Sequence, residues 1–128
     1  MVSPITQTDN YQVACKLLDA SVLRQQAIAA NIANAETPGY RRVDLAPDFE
    51  AQLSARIRAG DSPSSLAGLQ PSLATDATAR TVRPDGNTVE LEHELVAMNR
   101  NAVQYEFLTN MVSNHLKQLK VAITGRNV

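Results

Sequence analysis

The chain has 128 residues, which is the size of one domain. Its net charge is −1, so it does not have the excess of basic residues that is typical of nucleic-acid-binding proteins. Apolar residues make up 44% of it but aromatic residues only 4%, which predicts a thin core and burial shared between subunits. The single cysteine, Cys15, excludes an internal disulfide, and no stretch approaches the roughly 18 apolar residues of a membrane span.

A heptad-like pattern over about residues 8–34 predicts the first long helix. Its stripe positions alternate at spacings of four and three, and neither Gly nor Pro interrupts them. The stripe consists of Tyr11, Cys15, Leu18, Val22, Gln25, Ala29 and Ile32. Such a helix gains most of its stability by packing against other helices.

A helix stop and a tight turn are predicted directly after this helix. Asn34 suits a helix end, because its side chain competes for backbone hydrogen bonds. Pro38 and Gly39 at the centre of a turn favour type II geometry, in which Gly39 takes a positive φ. Tyr40 offers an apolar ring with a polar tip that can anchor the turn.

The middle of the chain, residues 44–87, is predicted to be loop-rich, with a short helix and short strands. Pro47 is expected to open the helix and Gly60 to end it. Residues 61–65 have the composition of a loop, and a strand is expected around Thr81-Val82. The helix would place Phe49, Leu53 and Ile57 on one face.

The second long helix is predicted over about residues 88–124, a length of roughly 50 Å. Residues 87–90 resemble a capping box with Asn87 at the cap, and Gly125 is a typical C-terminal stop. Its stripe consists of Leu91, Leu95, Met98, Ala102, Tyr105, Thr109, Val112, Leu116, Leu119 and Ile123.

These elements predict a mainly α fold in which the two terminal helices pair as an antiparallel coiled coil. The predicted divisions are residues 1–43, 44–87 and 88–128, with the terminal helices forming one axial-core domain. A two-helix unit leaves much of each helix facing outward, so part of the stripes should contact other subunits. The predicted assembly stripe consists of Leu18, Val22, Ala29, Ile32, Leu91, Leu95, Met98, Ala102, Tyr105, Val112, Leu116, Leu119 and Ile123.

No constellation for catalysis, cofactor binding or metal binding is predicted. Cys15 lies on an apolar stripe, where a buried, inert thiol is the usual outcome. His93 and His115 are 22 residues apart, or roughly 33 Å along one helix, too far to share a site. Glu90-x-x-His93 matches one element of a helical di-iron site, but the first helix supplies no glutamate before Glu36.

The segment after the first helix resembles the N-terminal signature of the flagellar rod and hook axial proteins. The matching residues are Asn31, Ile32, Ala33, Asn34, Ala35, Thr37, Pro38, Gly39 and Tyr40. The C-terminal part, at residues 86–92, 101–106, 116–120 and 122–126, is similar to the proximal rod proteins of the FlgB type within that family. The resemblance covers the first 50 residues and about the last 43.

The resemblance implies a structural subunit, not an enzyme, that assembles into the axial drive shaft of the flagellum. It implies copies of itself, FlgC, FlgF, FliE, the MS ring and the flagellar export gate as partners, and a place in the periplasmic rod. It also implies type III export without signal cleavage, which agrees with an N-terminus that lacks the basic start and apolar run of a signal peptide. The alternative is a soluble coiled-coil adaptor or chaperone-like binding protein, which would share both stripes.

Overall fold

The structure, a computed structural model, describes residues 9–60 and 62–125. Its elements in chain order are α1 (Asp9–Ala33), β1 (Val43–Leu45), α2 (Pro47–Ala59), α3 (Pro63–Ala67), β2 (Leu73–Thr75) and α4 (Leu91–Thr124). The prediction of a mainly helical protein with two long terminal helices is confirmed. With 34 residues, α4 extends for about 51 Å.

The two long helices run in opposite directions along each other. From one end of the seam to the other, the contacts join Tyr11 with His115, Ser21 with Asn101, and Asn31 with Glu94. The middle of the seam is polar, since the Ser21 hydroxyl donates to Asn101 Oδ1 at 3.1 Å and Asn101 Nδ2 donates to the Ser21 carbonyl at 2.9 Å. Directional hydrogen bonds therefore help to fix the register of the pair.

The apolar core lies on a different face of α1, under the middle segment. It is a small cluster that consists of Ala20, Phe49, Leu53, Leu66 and Leu69, with Val13, Leu17 and Leu45 packed against it. The predicted helix after Pro47 is present as α2, and Gly60 ends it with a φ of 67°. Ile57 is exposed, so only the first two residues of the predicted α2 face reach the core.

Two predictions for the middle segment are wrong. The stretch at 61–65 contains the start of α3, where Ser62 caps the helix and allows Leu66 to enter the core; residue 61 lies outside the described residues. Thr81-Val82 is not a strand. The strands are β1 and β2, which pair antiparallel with Val43 opposite Thr75. Burial of Leu66 outweighs the loop-forming composition of the serines before it.

The predicted capping box before α4 is also wrong. The helix begins at Leu91, one residue after Glu90, whose side chain makes no cap hydrogen bond. The side-chain amide of Asn87 is directed to carbonyl groups at the end of α1, so tertiary contacts replace the local cap. The predicted stop is confirmed, because Gly125 ends α4 with a φ of 64°. Within the described ranges, no helix has the length and apolar character needed to cross a bilayer.

Candidate functional site

The motif residues lie where α1, the two-stranded sheet and the start of α4 meet. Tyr40 N donates to the Thr37 carbonyl at 3.2 Å, which closes a turn with Pro38 and Gly39 at its centre. Gly39 has a φ of 74°, as predicted. Asn31 and Ala35 are buried, Ile32, Asn34 and Tyr40 are half-buried, and Ala33, Thr37, Pro38 and Gly39 are exposed.

Asn31 is the centre of this junction and is completely buried. Its Nδ2 donates to the Val43 carbonyl at 2.8 Å and to Glu94 Oε2 at 3.2 Å, and its Oδ1 accepts from Val43 N at 2.9 Å. The Tyr40 hydroxyl donates to the same Oδ1 at 3.2 Å. One amide therefore joins α1, the turn, β1 and α4, and its full set of partners offsets the cost of burial.

A second part of the junction is an ion cluster around Arg42. Its Nε donates to the fully buried Glu94, and its Nη1 donates to Asp44 at 3.0 Å and to Asp76 at 2.8 Å. Burial alone would lower the pKa of Arg42, but Glu94 and Asp44 outweigh it and raise that pKa. The guanidinium is therefore firmly charged. This cluster connects both strands to α4.

The pKa values of Asp76 and Tyr40 are also shifted at this junction. Burial alone would raise the pKa of Asp76, but hydrogen bonds from Thr78 and Arg42 outweigh it and lower that pKa. For Tyr40, burial and the nearby Glu94 both raise the pKa of the phenol. Asp76 is therefore held as a charged acceptor and Tyr40 as a neutral donor.

Asn87 joins the end of α1 to the segment before α4. It is completely buried, and its Nδ2 donates to the carbonyls of Asn34, Ala35 and Thr37 at 2.8–3.1 Å. Its Oδ1 accepts from Val89 N at 2.7 Å. These three carbonyls belong to residues just after α1, which ends at Ala33, so Asn87 connects the chain that leaves this helix to a distant part of the sequence.

A second turn packs directly on the motif turn. Gly39 N donates to the Asp85 carbonyl at 2.8 Å, and a Cβ on Gly86 would lie 3.4 Å from the Gly39 Cα. Thr88 N donates to the Tyr40 carbonyl at 3.1 Å, so the chain on either side of the two turns is also joined. The glycines allow close backbone approach, which fixes where the chain enters α4.

The arrangement is a structural joint. Among the described residues, no buried side-chain nitrogen or oxygen lacks a hydrogen-bond partner. The predicted Glu90-x-x-His93 pair forms a contact of 3.0 Å between Glu90 Oε2 and His93 Nδ1. Over residues 9–60 and 62–125, no group of three or more His, Cys, Asp or Glu residues could hold a metal ion.

The residues of the predicted assembly stripe lie beside the seam between the two long helices. Glu94, Asn101 and Leu108 form the buried face of α4, whereas Leu95 and Ala102, one position later, are exposed. The half-buried members of the stripe are Leu18, Ile32, Met98, Val112 and Leu119, and the exposed members are Val22, Ala29, Leu91, Leu95, Ala102, Tyr105, Leu116 and Ile123.

Sequence reasoning missed the polar partners of the motif. Arg42 and Glu94 were not singled out, and Asn87 was assigned to a local cap. A usable signal was present in α4, where Glu94, Asn101 and Leu108 recur at a spacing of seven, one position before the apolar stripe. Polar residues at such positions often fix register between helices.

A comparison with known proteins identifies relatives whose shared sequence includes the motif residues of this junction. A family model described as "Flagella basal body rod protein" matches residues 18–41, from α1 to the end of the motif turn. The chain is 28% identical over 125 residues to flagellar basal body rod protein FlgB of Escherichia coli K12, covering 86% of this chain and 89% of that protein. It is 30% identical over 128 residues to FlgB of Borrelia hermsii, covering 87% of this chain and 93% of that protein.

The chain belongs to the FlgB family of flagellar basal body rod proteins. The FlgB of Buchnera aphidicola subsp. Acyrthosiphon pisum matches over its whole length, with 24% identity over 98% of this chain. The similarity to FlgB proteins therefore includes the middle segment, where the sequence alone gave no resemblance. The protein is a structural subunit of the flagellar basal body rod.

Gly39 provides a direct test of the motif turn. Gly39→Val is expected to destabilise the fold by roughly 1–2 kcal/mol and to abolish motility, because a β-branched residue is strained at positive φ. No atom lies within 4 Å of a Cβ at this position, so the effect would come from the backbone and not from a clash. Gly39→Asn, which tolerates positive φ better, is the matched control. Urea unfolding and swimming assays measure both effects, and equal behaviour of the two variants would show that the turn does not need its positive φ.

Proposed function

We propose that this FlgB-family chain builds the proximal rod by helix packing, with α1 and α4 paired as an antiparallel coiled coil and the assembly stripe buried between subunits. One observation carries the proposal: large apolar side chains of the stripe remain exposed on the folded chain. Val22, Leu91, Leu95, Tyr105, Leu116 and Ile123 are each between 43% and 61% exposed. Large apolar side chains that stay exposed in a group usually mark an interaction surface.

The shape of the chain supports an axial role for the helix pair. Its small core is on the side of α1 that faces the middle segment, whereas the stripe runs along the other side of the pair. The terminal helices then form an axial-core domain that lines the tube, and the middle segment packs outward. Torque is carried by many shallow helix contacts in parallel, and the junction around Asn31 holds each middle segment at a fixed angle.

The proposed partners follow from the family. They are further copies of this chain and the other rod proteins FlgC and FlgF, with FliE, the MS ring and the export gate at the base of the rod. The proposed location is the periplasmic part of the basal body, reached by type III export without a cleaved signal peptide. The proposal includes neither nucleic-acid binding nor insertion into the membrane, and no enzymatic activity.

The adaptor alternative is not favoured by the family membership. It would also predict a closed dimer or tetramer, whereas an axial subunit makes heterologous contacts that do not close. Sedimentation of the purified chain over a range of concentrations separates the two. A single closed species at all concentrations would support the adaptor.

The function is tested by deleting the gene and imaging basal bodies by electron microscopy. Cells without this chain are expected to keep the MS ring but to lack the rod, and to be non-motile. A plasmid copy of the wild-type gene should restore both rod and swimming. Intact rods in the deletion strain would contradict the proposed function.

A further inference from the structure

We infer that the outer edge of β2 binds residues 79–82 of a second copy of this chain, which add a third strand to the sheet. The outer edge is the side of β2 that faces away from β1. The contact joins successive copies in the rod, so the inference rests on the proposed function.

The backbone groups on the outer edge follow from the register of the sheet. Ala46 N donates to the Ser72 carbonyl at 2.8 Å, so these two residues form a hydrogen-bonded pair next to the strands. Bonded and non-bonded pairs alternate along an antiparallel ladder. The N–H and C=O groups of Leu73 and Thr75 therefore point away from β1, to the outer edge.

The two edges of the sheet differ, because a side chain closes the edge of β1. Asn31 Nδ2 donates to the Val43 carbonyl at 2.8 Å, and Asn31 Oδ1 accepts from Val43 N at 2.9 Å, so this amide takes the place of a neighbouring strand. Among the described residues, no hydrogen bond reaches Leu73 or Thr75 on the outer edge of β2. Unpaired backbone groups on an edge strand bind another extended chain.

Residues 79–82 have the properties of the missing strand. Within the part of the chain that the structure describes, their backbone groups make no hydrogen bond, and residues 80–82 are exposed. Thr81 and Val82 are β-branched, as strands favour. In their own chain, Ala79 and Arg80 line a cavity of about 340 Å³ beside the start of α4, and the sheet has two strands. These residues are therefore available to the sheet of a neighbouring copy.

Two exposed apolar side chains indicate the register of this contact. Over residues 9–60 and 62–125, Leu73 and Val82 are the only exposed large apolar residues outside the helices, at 38% and 57%. Leu45 lies opposite Leu73 and packs against the core cluster. An antiparallel strand with Val82 opposite Leu73 continues this apolar row and covers both side chains. The same register places Arg80 opposite Thr75.

The contact between an edge and a separate strand suits an open assembly. Each copy offers one outer edge and one segment 79–82, so the same contact repeats from copy to copy without closing on itself. Two β2 edges could also pair with each other. That contact would end at a dimer and would leave Val82 of both copies exposed, so it is not favoured.

Disulfide cross-linking in isolated basal bodies tests the inference. In a Cys15→Ser chain, Leu73→Cys and Val82→Cys place thiols on residues that face each other in the proposed register. Opposite residues of a hydrogen-bonded pair have Cα atoms about 5.5 Å apart, a separation that a disulfide spans. After oxidation, the chain with both cysteines should give a ladder of dimers, trimers and larger species on a non-reducing gel.

The matched control combines Leu73→Cys with Thr81→Cys. A shift of one residue turns the side chain to the other face of the sheet, so this chain should give less than about a tenth of the cross-linked product. The chains with only one of the three new cysteines should give no dimer of this protein. A ladder of equal strength from the control chain would contradict the register.

Several results would overturn the inference. A dimer from Leu73→Cys alone would show that two β2 edges meet, and a disulfide within one chain would show that residues 79–82 fold back on their own sheet. Cross-links only to a different rod protein, or none in cells that swim, would show that this edge does not join copies of this chain, while the proposed function would stand. Complete rods that do not contain this chain would overturn the proposed function as well.

Thr75→Pro provides a second measurement that does not need cysteines. It removes an N–H from the outer edge, where proline leaves the bonds between β1 and β2 intact, so the free chain should unfold at the wild-type urea concentration while rods are lost. Ala74→Pro is the matched control, because Ala74 N faces β1 and its loss should lower the urea midpoint of the free chain. Normal rods with Thr75→Pro, or a urea midpoint as low as that of Ala74→Pro, would overturn the inference.

Discussion

Arg42→Met is expected to destabilise the folded chain by about 3–5 kcal/mol, because it leaves a buried carboxylate without its counter-charge. Glu94 is 0% exposed, and after the substitution the Asn31 amide would be its remaining side-chain hydrogen-bond donor among the described residues. Folded proteins have a total stability of about 5–15 kcal/mol, so the substitution should remove a large share of it. Urea unfolding followed by circular dichroism measures the loss.

Two control variants test whether the loss of stability comes from the unpaired, buried charge of Glu94. Arg42→Met combined with Glu94→Gln should recover much of the lost stability, because the amide is neutral and can keep its contact with Asn31. Arg24→Met removes an ion pair in which Arg24 Nη2 lies 2.9 Å from Glu50 Oε1. Because Glu50 is largely exposed, this substitution should lower the stability of the fold by at most about 1 kcal/mol. If Arg42→Met unfolded at the same urea concentration as Arg24→Met, the Arg42 cluster would not hold the junction together.

Leu116→Asp is expected to abolish the rod while leaving the free chain intact. Leu116 is 47% exposed, so a carboxylate there remains solvated in the monomer. At a subunit contact the same carboxylate would be buried without a partner, at a cost of several kcal/mol for each copy. The variant protein should therefore be made and exported at near-normal levels, but the cells should be non-motile and their basal bodies should lack rods.

Gln118→Asp is the matched control for this substitution. It places the same new charge two residues away, on an exposed position outside the assembly stripe, and should have a mild effect. If Leu116→Asp cells assembled rods and swam, the stripe would not be an interface. If the variant protein disappeared from the cytoplasm before export, Leu116 would stabilise the free chain instead, and the adaptor alternative would gain support.

The long helices were predictable because their signals are local and repeated. Heptad spacing identified α1 and α4, and the glycines at 60 and 125 marked helix ends through a backbone conformation that glycine favours. The turn at Pro38-Gly39 was predictable for the same reason. The start of α4 was not predictable, because Asn87 has a strong local cap pattern but its amide binds carbonyls 50 to 53 residues away.

The polar junction could be predicted only in part. The motif identified Asn31 and Tyr40, but their partners Arg42 and Glu94 are separated by 52 residues and no local pattern connects them. The sheet was missed for a similar reason, since each strand has three residues and is stabilised only by its pairing with the other. Contacts between distant segments therefore determine the polar junction and the sheet, and the periodicity of the sequence does not reveal such contacts.

The central claim, that the assembly stripe is buried in the rod, is tested most directly by thiol labelling. Leu116→Cys in a Cys15→Ser chain places a reactive group on the stripe, and Ser54→Cys places one on the exposed side of α2 as a control. In the free chain both should react quickly with a maleimide. In isolated basal bodies with complete rods, we expect Leu116→Cys to be protected while Ser54→Cys still reacts, and labelling of Leu116→Cys as fast as in the free chain would contradict the account.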